Sequence, residues 1–81
     1  MRKHRVLKRF AKRLLYYMGY TKIEEEYQLA VAGRKFRIDV VGYKPNGNIS
    51  ILVEVGAIDK HKVKFLKKYY QVITIPYSET I

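Results

Sequence analysis

The chain has no cysteine, which excludes disulfides, thiolate zinc sites and cysteine nucleophiles at once and leans the expected compartment towards a reducing cytoplasm. Acidic residues are scarce, with seven Asp and Glu against seventeen Lys and Arg for a formal charge of +10. That imbalance points to an anionic partner, nucleic acid before an acidic membrane surface. The two histidines, His4 and His61, lie far apart among Lys and Arg and read as solvated side chains rather than metal ligands. No apolar run is long enough to span a bilayer and no signal-peptide pattern is visible, so no membrane partner is expected. Internal repeats and low-complexity segments are absent. The 81 residues form one expected domain, 1–81, able to bury roughly 60–65% of its unfolded surface.

The positive charge is concentrated in two runs. Arg2, Lys3, Arg5, Lys8, Arg9, Lys12 and Arg13 all precede the first acid, Glu24, and Lys60, Lys62, Lys64, Lys67 and Lys68 form the second group. Val6, Leu7, Phe10, Leu14, Tyr17 and Met18 recur at helical spacing within the first run, so residues 4 to 18 are predicted to form an amphipathic helix that stops at Gly19. Tyr27, Leu29 and Val31 alternate as a strand that turns near Gly33. Two longer strands follow, GRKFRIDVVGY and ISILVEVG, joined by KPNGN. Asp59 can cap a helix running to about Tyr70, with Val63, Leu66 and Tyr70 on one stripe. Val72 to Ile75, ended by Pro76, reads as a last strand, parallel to its predecessor through a right-handed crossover. The expected fold is α/β, a four-stranded mixed sheet with two flanking helices in the order αβββαβ.

The two central strands carry the most chemistry. With Asn46-Gly47 as a two-residue turn, Asp39 falls directly opposite Glu54, at a Cβ separation of about 4.5–5.5 Å. Two carboxylates that close repel unless a cation lies between them or a proton is shared, so the register predicts a divalent metal site. In that register Phe36, Ile38, Val40, Ile49, Ile51, Val53 and Val55 share one apolar face. Arg37, Asp39, Val41, Tyr43, Ser50, Leu52, Glu54 and Gly56 share the other.

This order of elements, an Asp in the second strand (RIDVVG) and a Glu in an apolar third strand (ILVEVG) resemble the minimal core of the PD-(D/E)XK nuclease superfamily, which includes restriction endonucleases and archaeal Holliday-junction resolvases. The resemblance implies that Asp39 and Glu54 are catalytic metal ligands for Mg²⁺ or Mn²⁺. It also implies a lysine two residues after the acid, where this chain has Gly56. Lys60 and Arg37 are the candidates to supply the missing cation, Lys60 having the better side chain for reaching back. A third metal ligand is sought in the first strand. Glu26 faces Asp39 if the turn is Ala32-Gly33, and Gln28 does if it is Gly33-Arg34.

The expected activity is therefore metal-dependent cleavage of DNA phosphodiesters. Arg5, Lys8, Arg9, Lys12, Arg13, Arg37, Lys60 and Lys64 would contact phosphates without reading sequence. Two other classes remain open: a nuclease-like fold that binds nucleic acid without cutting it, and a small assembly subunit, such as a homodimer, that pairs through its apolar, tyrosine-rich surface. The Lys-, Ile- and Tyr-rich, cysteine-free composition suggests a thermophilic archaeon or one of its viruses.

Overall fold

The computed structural model describes residues 2–77. The elements are α1 (Arg2–Tyr17), β1 (Lys22–Val31), β2 (Arg34–Tyr43), β3 (Ile49–Gly56), α2 (Lys60–Leu66) and β4 (Gln71–Pro76). They form one mixed sheet of strand order β1-β2-β3-β4, with antiparallel pairs from β1 to β3 and β4 parallel to β3. The αβββαβ order and the crossover through α2 are as the sequence predicts.

Both faces of the sheet are covered. Leu7, Ala11 and Leu15 of α1 pack on Val40, Ile51, Val53 and Val55. Leu66 of α2 packs on the other side with Leu29, Val31, Ile38, Val41 and Leu52. The stripe of α1 that meets the sheet is thus not the whole apolar set expected from sequence. Val6, Phe10, Tyr17 and Met18 are exposed by 57%, 55%, 77% and 45%, and the sheet takes Ala11 and Leu15 in their place. The helix ends where Gly19, at φ +100°, lets Tyr20 N–H reach the Leu15 carbonyl at 3.0 Å and Gly19 N–H reach Tyr16 at 3.0 Å. This left-handed stop favours glycine.

The β1–β2 turn is Ala32-Gly33, which fixes the register of Val31 with Arg34. The β2–β3 turn is one residue longer than expected: Gly47 N–H bonds to the Lys44 carbonyl at 2.9 Å and Lys44 N–H to the Asn48 carbonyl at 2.8 Å. Gly42 faces Ile51 while Tyr43 faces Ile49, so Ser50 is an extra residue that compensates the longer turn. Beyond this bulge Val40 faces Val53, the register the sequence predicts. Ser50 is not idle there, for its hydroxyl lies 3.0 Å from that of Tyr20.

The predicted division of faces needs correction. Ile38 and the half-buried Phe36 and Ile49 belong to the core under α2, not with Val40 under α1. The bulge at Ser50 turns Ile49 over, and a change in the pleat between Asp39 and Val40 turns over Ile38 and Phe36. Asp59 caps α2 as expected, its Oδ1 accepting from His61 N–H at 3.0 Å and Lys62 N–H at 3.2 Å. The helix ends at Leu66, short of Tyr70, and the following residues close in tighter turns, with Lys68 N–H bonded to Phe65 and Tyr69 N–H to Leu66.

The packing of α1 is directly testable. Leu15→Ala, at a fully buried position, should cost about 2–5 kcal/mol in chemical denaturation. Val6→Ala, at an exposed one, should change stability by no more than about 0.5 kcal/mol. A larger loss from Val6→Ala would place the wrong stripe of the helix on the sheet.

Candidate metal and nucleic-acid site

The site lies where regular pairing between β2 and β3 gives way beyond Val40 and Val53. In place of carbonyls, two backbone N–H groups here bond to carboxylates of the opposite strand. Asp39 N–H donates to Glu54 Oε2 at 3.1 Å, and Val55 N–H donates to Asp39 Oδ2 at 2.9 Å. Asp39 and Glu54 are thus brought close across the two strands although the ladder ends one pair short of them, and the carboxylates are clasped to backbone and head to different sides of the sheet. Glu54 Oε1 meets Lys62 Nζ of α2 at 2.8 Å, whereas Asp39 Oδ1 lies 3.4 Å from His4 Nε2 of α1. Lys62 offsets their repulsion at Glu54, and the expectation that both lie on the face opposite Val53 is corrected for Asp39.

The cause is a change of pleat shared by two neighbouring strands. Ile23 packs in the core under α1 and Glu25 pairs with Lys8 and Lys12 of that helix, yet Glu26 also pairs with Lys8, at 2.7 Å. Successive residues of β1 therefore point to one side, and Glu26 adopts φ +52° to do so. Asp39 and Val40 do the same in β2. The turn at Ala32-Gly33 sets Glu26 in register with Asp39, so the two irregularities coincide and deliver both acids towards α1.

His4, Glu26 and Asp39 each offer a ligand atom within 4.8 Å of the others. An imidazole nitrogen and two carboxylate oxygens are a donor set that fits one divalent transition ion. Glu26 is engaged already, accepting from Lys8 Nζ and from Arg37 Nε, each at 2.7 Å. A bound ion would compete with those two cations for it. Glu54 stands outside this group. The imidazole shifts the fit from Mg²⁺ towards Mn²⁺, because Mg²⁺ prefers all-oxygen ligation.

A lysine at position 56 would be strained and would displace its neighbours. Gly56 has φ +86°, and a Cβ there would lie 2.9 Å from the Tyr77 ring and 3.2 Å from His4 Cδ2. The lysine that reaches Glu54 is Lys62, which also donates to the Arg37 carbonyl at 2.6 Å. Lys60, the expected substitute, is exposed at the start of α2 and makes no ion pair among the described residues. The signal for Lys62 was in the sequence: it lies four residues before Leu66 and beside Val63, on the buried stripe, whereas Lys60 lies off it. His4 likewise precedes Leu7 by three residues and so faces the sheet, a position that outweighs its basic neighbours.

Of the cations expected at phosphates, Lys8 and Lys12 are held by Glu25 and Glu26, and Arg37 by Glu26. Arg5, Arg9, Arg13 and Lys64 are exposed. Arg5, Lys8, Arg9, Lys12 and Glu25 line a shallow basic cavity of about 410 Å³ on α1. Comparison with known proteins gives no match: no family model fits the chain, and neither a curated protein nor a solved structure matches it. The likeness to PD-(D/E)XK nucleases rests on the order of elements and the two acids alone.

The acids titrate in opposite directions. Hydrogen bonds from Lys12 hold Glu25 below the usual carboxylate range, and those from Lys8 and then Arg37 do the same for Glu26. Burial pushes Glu54 up, offset in part by Lys62 and by the Asp39 N–H. The stability contributed by Glu25 and Glu26 is present above the ordinary value of 4.5 and is lost as pH falls through their folded values. Glu54 acts in reverse, its destabilisation growing as pH rises from 4.5 towards its folded value and complete above it. Glu54→Gln should remove that rise-linked loss, so its melting temperature measured across mildly acidic pH should fall less than wild type above pH 4.5. Parallel profiles would show that Glu54 is not perturbed.

Proposed function

We propose that this protein is a metal-dependent nuclease acting on DNA phosphodiesters, with Asp39, Glu26 and His4 as metal ligands and Glu54 as their support. The observation that carries this reading is the convergence of three possible ligands at the point where β1 and β2 change pleat together, beside the paired Glu54. A buried acid and its lysine gain little as a stability device. They make better sense as groups that fix a neighbouring site.

When bound, the ion would supply a water of lowered pKa and stabilise charge on the leaving oxygen. The protein's own part is positional. Val55 N–H holds one oxygen of Asp39, leaving Oδ1 directed towards His4. Glu54 holds the Asp39 backbone through Oε2 and is itself held by Lys62 through Oε1. Lys62 is thus a positioning residue acting through Glu54. The arginines of α1 would bind flanking phosphates and supply affinity without sequence reading.

The double pairing of Glu26 with Lys8 and Arg37 favours a second reading, in which the ion pairs are purely structural and the protein binds nucleic acid without cutting it. Cleavage assays on branched, duplex and single-stranded DNA with Mn²⁺, Mg²⁺ or chelator separate the two. Asp39→Asn should abolish Mn²⁺-dependent cleavage while leaving DNA affinity within about twofold, because the basic surface supplies most of the binding. Lys62→Ala should lower turnover roughly 10- to 100-fold, and Lys60→Ala should leave it close to wild type. Folded wild-type protein that cuts none of these substrates would overturn the nuclease reading, and salt-dependent DNA binding by it would then favour the non-catalytic one.

A further inference from the structure

The acids of the sheet divide α1 into two unlike sides. Lys8 and Lys12 turn towards β1 and are neutralised there by Glu25 and Glu26. Arg5, Arg9 and Arg13 have no acidic partner among the described residues. Beside these arginines runs a second stripe, Val6, Phe10 and Tyr17, exposed by 57%, 55% and 77%. Val6 and Phe10, with Arg9 and Arg13, line a shallow cavity of about 290 Å³. The helix thus presents free guanidinium groups alternating with unburied rings, turned away from the core that holds Leu7, Ala11 and Leu15.

We propose that this outer side of α1 binds unpaired DNA bases, so that the substrate of the site carries a single-stranded segment. The proposal rests on the nucleic-acid reading above and names its substrate class. Duplex DNA offers phosphates and closed base stacks to a surface helix, and phosphates alone call for cations. Exposed Phe and Tyr rings gain from a nucleic acid only when bases are free to stack on them. Arginine suits both tasks, since its planar cation binds phosphate in a bidentate manner and stacks on ring faces.

Charge argues against a second copy of the chain on the same stripe. No acidic residue occurs before Glu24 in a protein of net charge +10, so two such helices brought together would set arginine against arginine. A membrane surface would meet the same charges but would show no preference between DNA forms.

The test is fluorescence anisotropy in chelator, which prevents cleavage, with an oligothymidylate of about 20 nucleotides and a duplex of equal length. Wild type should bind the single strand more tightly. Phe10→Ala and Tyr17→Ala, both at exposed positions, should each weaken single-strand binding roughly 5- to 100-fold and leave duplex binding within about twofold. Arg9→Gln should weaken both forms and lower the salt dependence. Equal affinity for the two forms, or equal loss on both from Phe10→Ala, would overturn the proposal. So would Phe10-dependent binding to vesicles of anionic phospholipid, or Phe10-dependent self-association, without a strand preference. Strand preference with no Mn²⁺-dependent cleavage would overturn the nuclease reading and leave this one standing.

Discussion

The reciprocal clasp between Asp39 and Glu54 governs the rest of the structure. In an unbroken antiparallel ladder the N–H groups of Asp39 and Val55 would serve carbonyls of the facing or neighbouring strand. Here both are given to carboxylates. Charge-assisted hydrogen bonds are roughly twice as strong as neutral ones, which compensates for the ladder bonds lost. The arrangement fixes two acids near each other, Glu54 buried and Asp39 partly so, and each has its own side-chain partner. Lys62 answers for Glu54 from one side of the sheet and His4 stands beside Asp39 on the other.

From this follows the distribution of charge over the molecule. The change of pleat at Asp39 is matched by that at Glu26, which brings a third acid to the α1 side and draws Lys8 and Arg37 to it. Lysines near the sheet are consumed in neutralising these acids. The arginines on the far side of α1 are left over and, with exposed lysines such as Lys35, Lys60 and Lys64, give the exposed surface its basic character. A chain with seven acids and seventeen bases thus carries a balanced cluster of ion pairs between α1 and the sheet beside an unbalanced basic surface.

Much of this was legible in the residues. Alternation, turn residues and the apolar run before Pro76 located all four strands, β1 only in its second half, and the closeness of Asp39 to Glu54 followed from the hairpin. It followed for a partly wrong reason, however, since the longer turn at Lys44–Gly47 and the extra residue Ser50 cancel. The faces of Ile38 and Asp39 could not be read, because strict alternation assumes an unbroken pleat and the break depends on hydrogen bonds to side chains from another strand. His4 and Lys62 were hidden by composition, lying in basic runs that resemble solvated surface. Their helical phase relative to Leu7 and Leu66 was the better guide. Gly56 read as a missing lysine, whereas its left-handed backbone and the nearby Tyr77 ring favour glycine there.

Uptake of an ion by His4, Glu26 and Asp39 would distinguish a metal site from a set of structural ion pairs. Isothermal titration calorimetry of the DNA-free protein with Mn²⁺ addresses this without relying on cleavage. It should give one Mn²⁺ per chain, lost in Asp39→Asn and weakened in His4→Ala, while Lys60→Ala binds as wild type does. No uptake of Mn²⁺ by folded wild-type protein, or uptake that Asp39→Asn leaves unchanged, would contradict the assignment and reduce the cluster to a network of structural ion pairs.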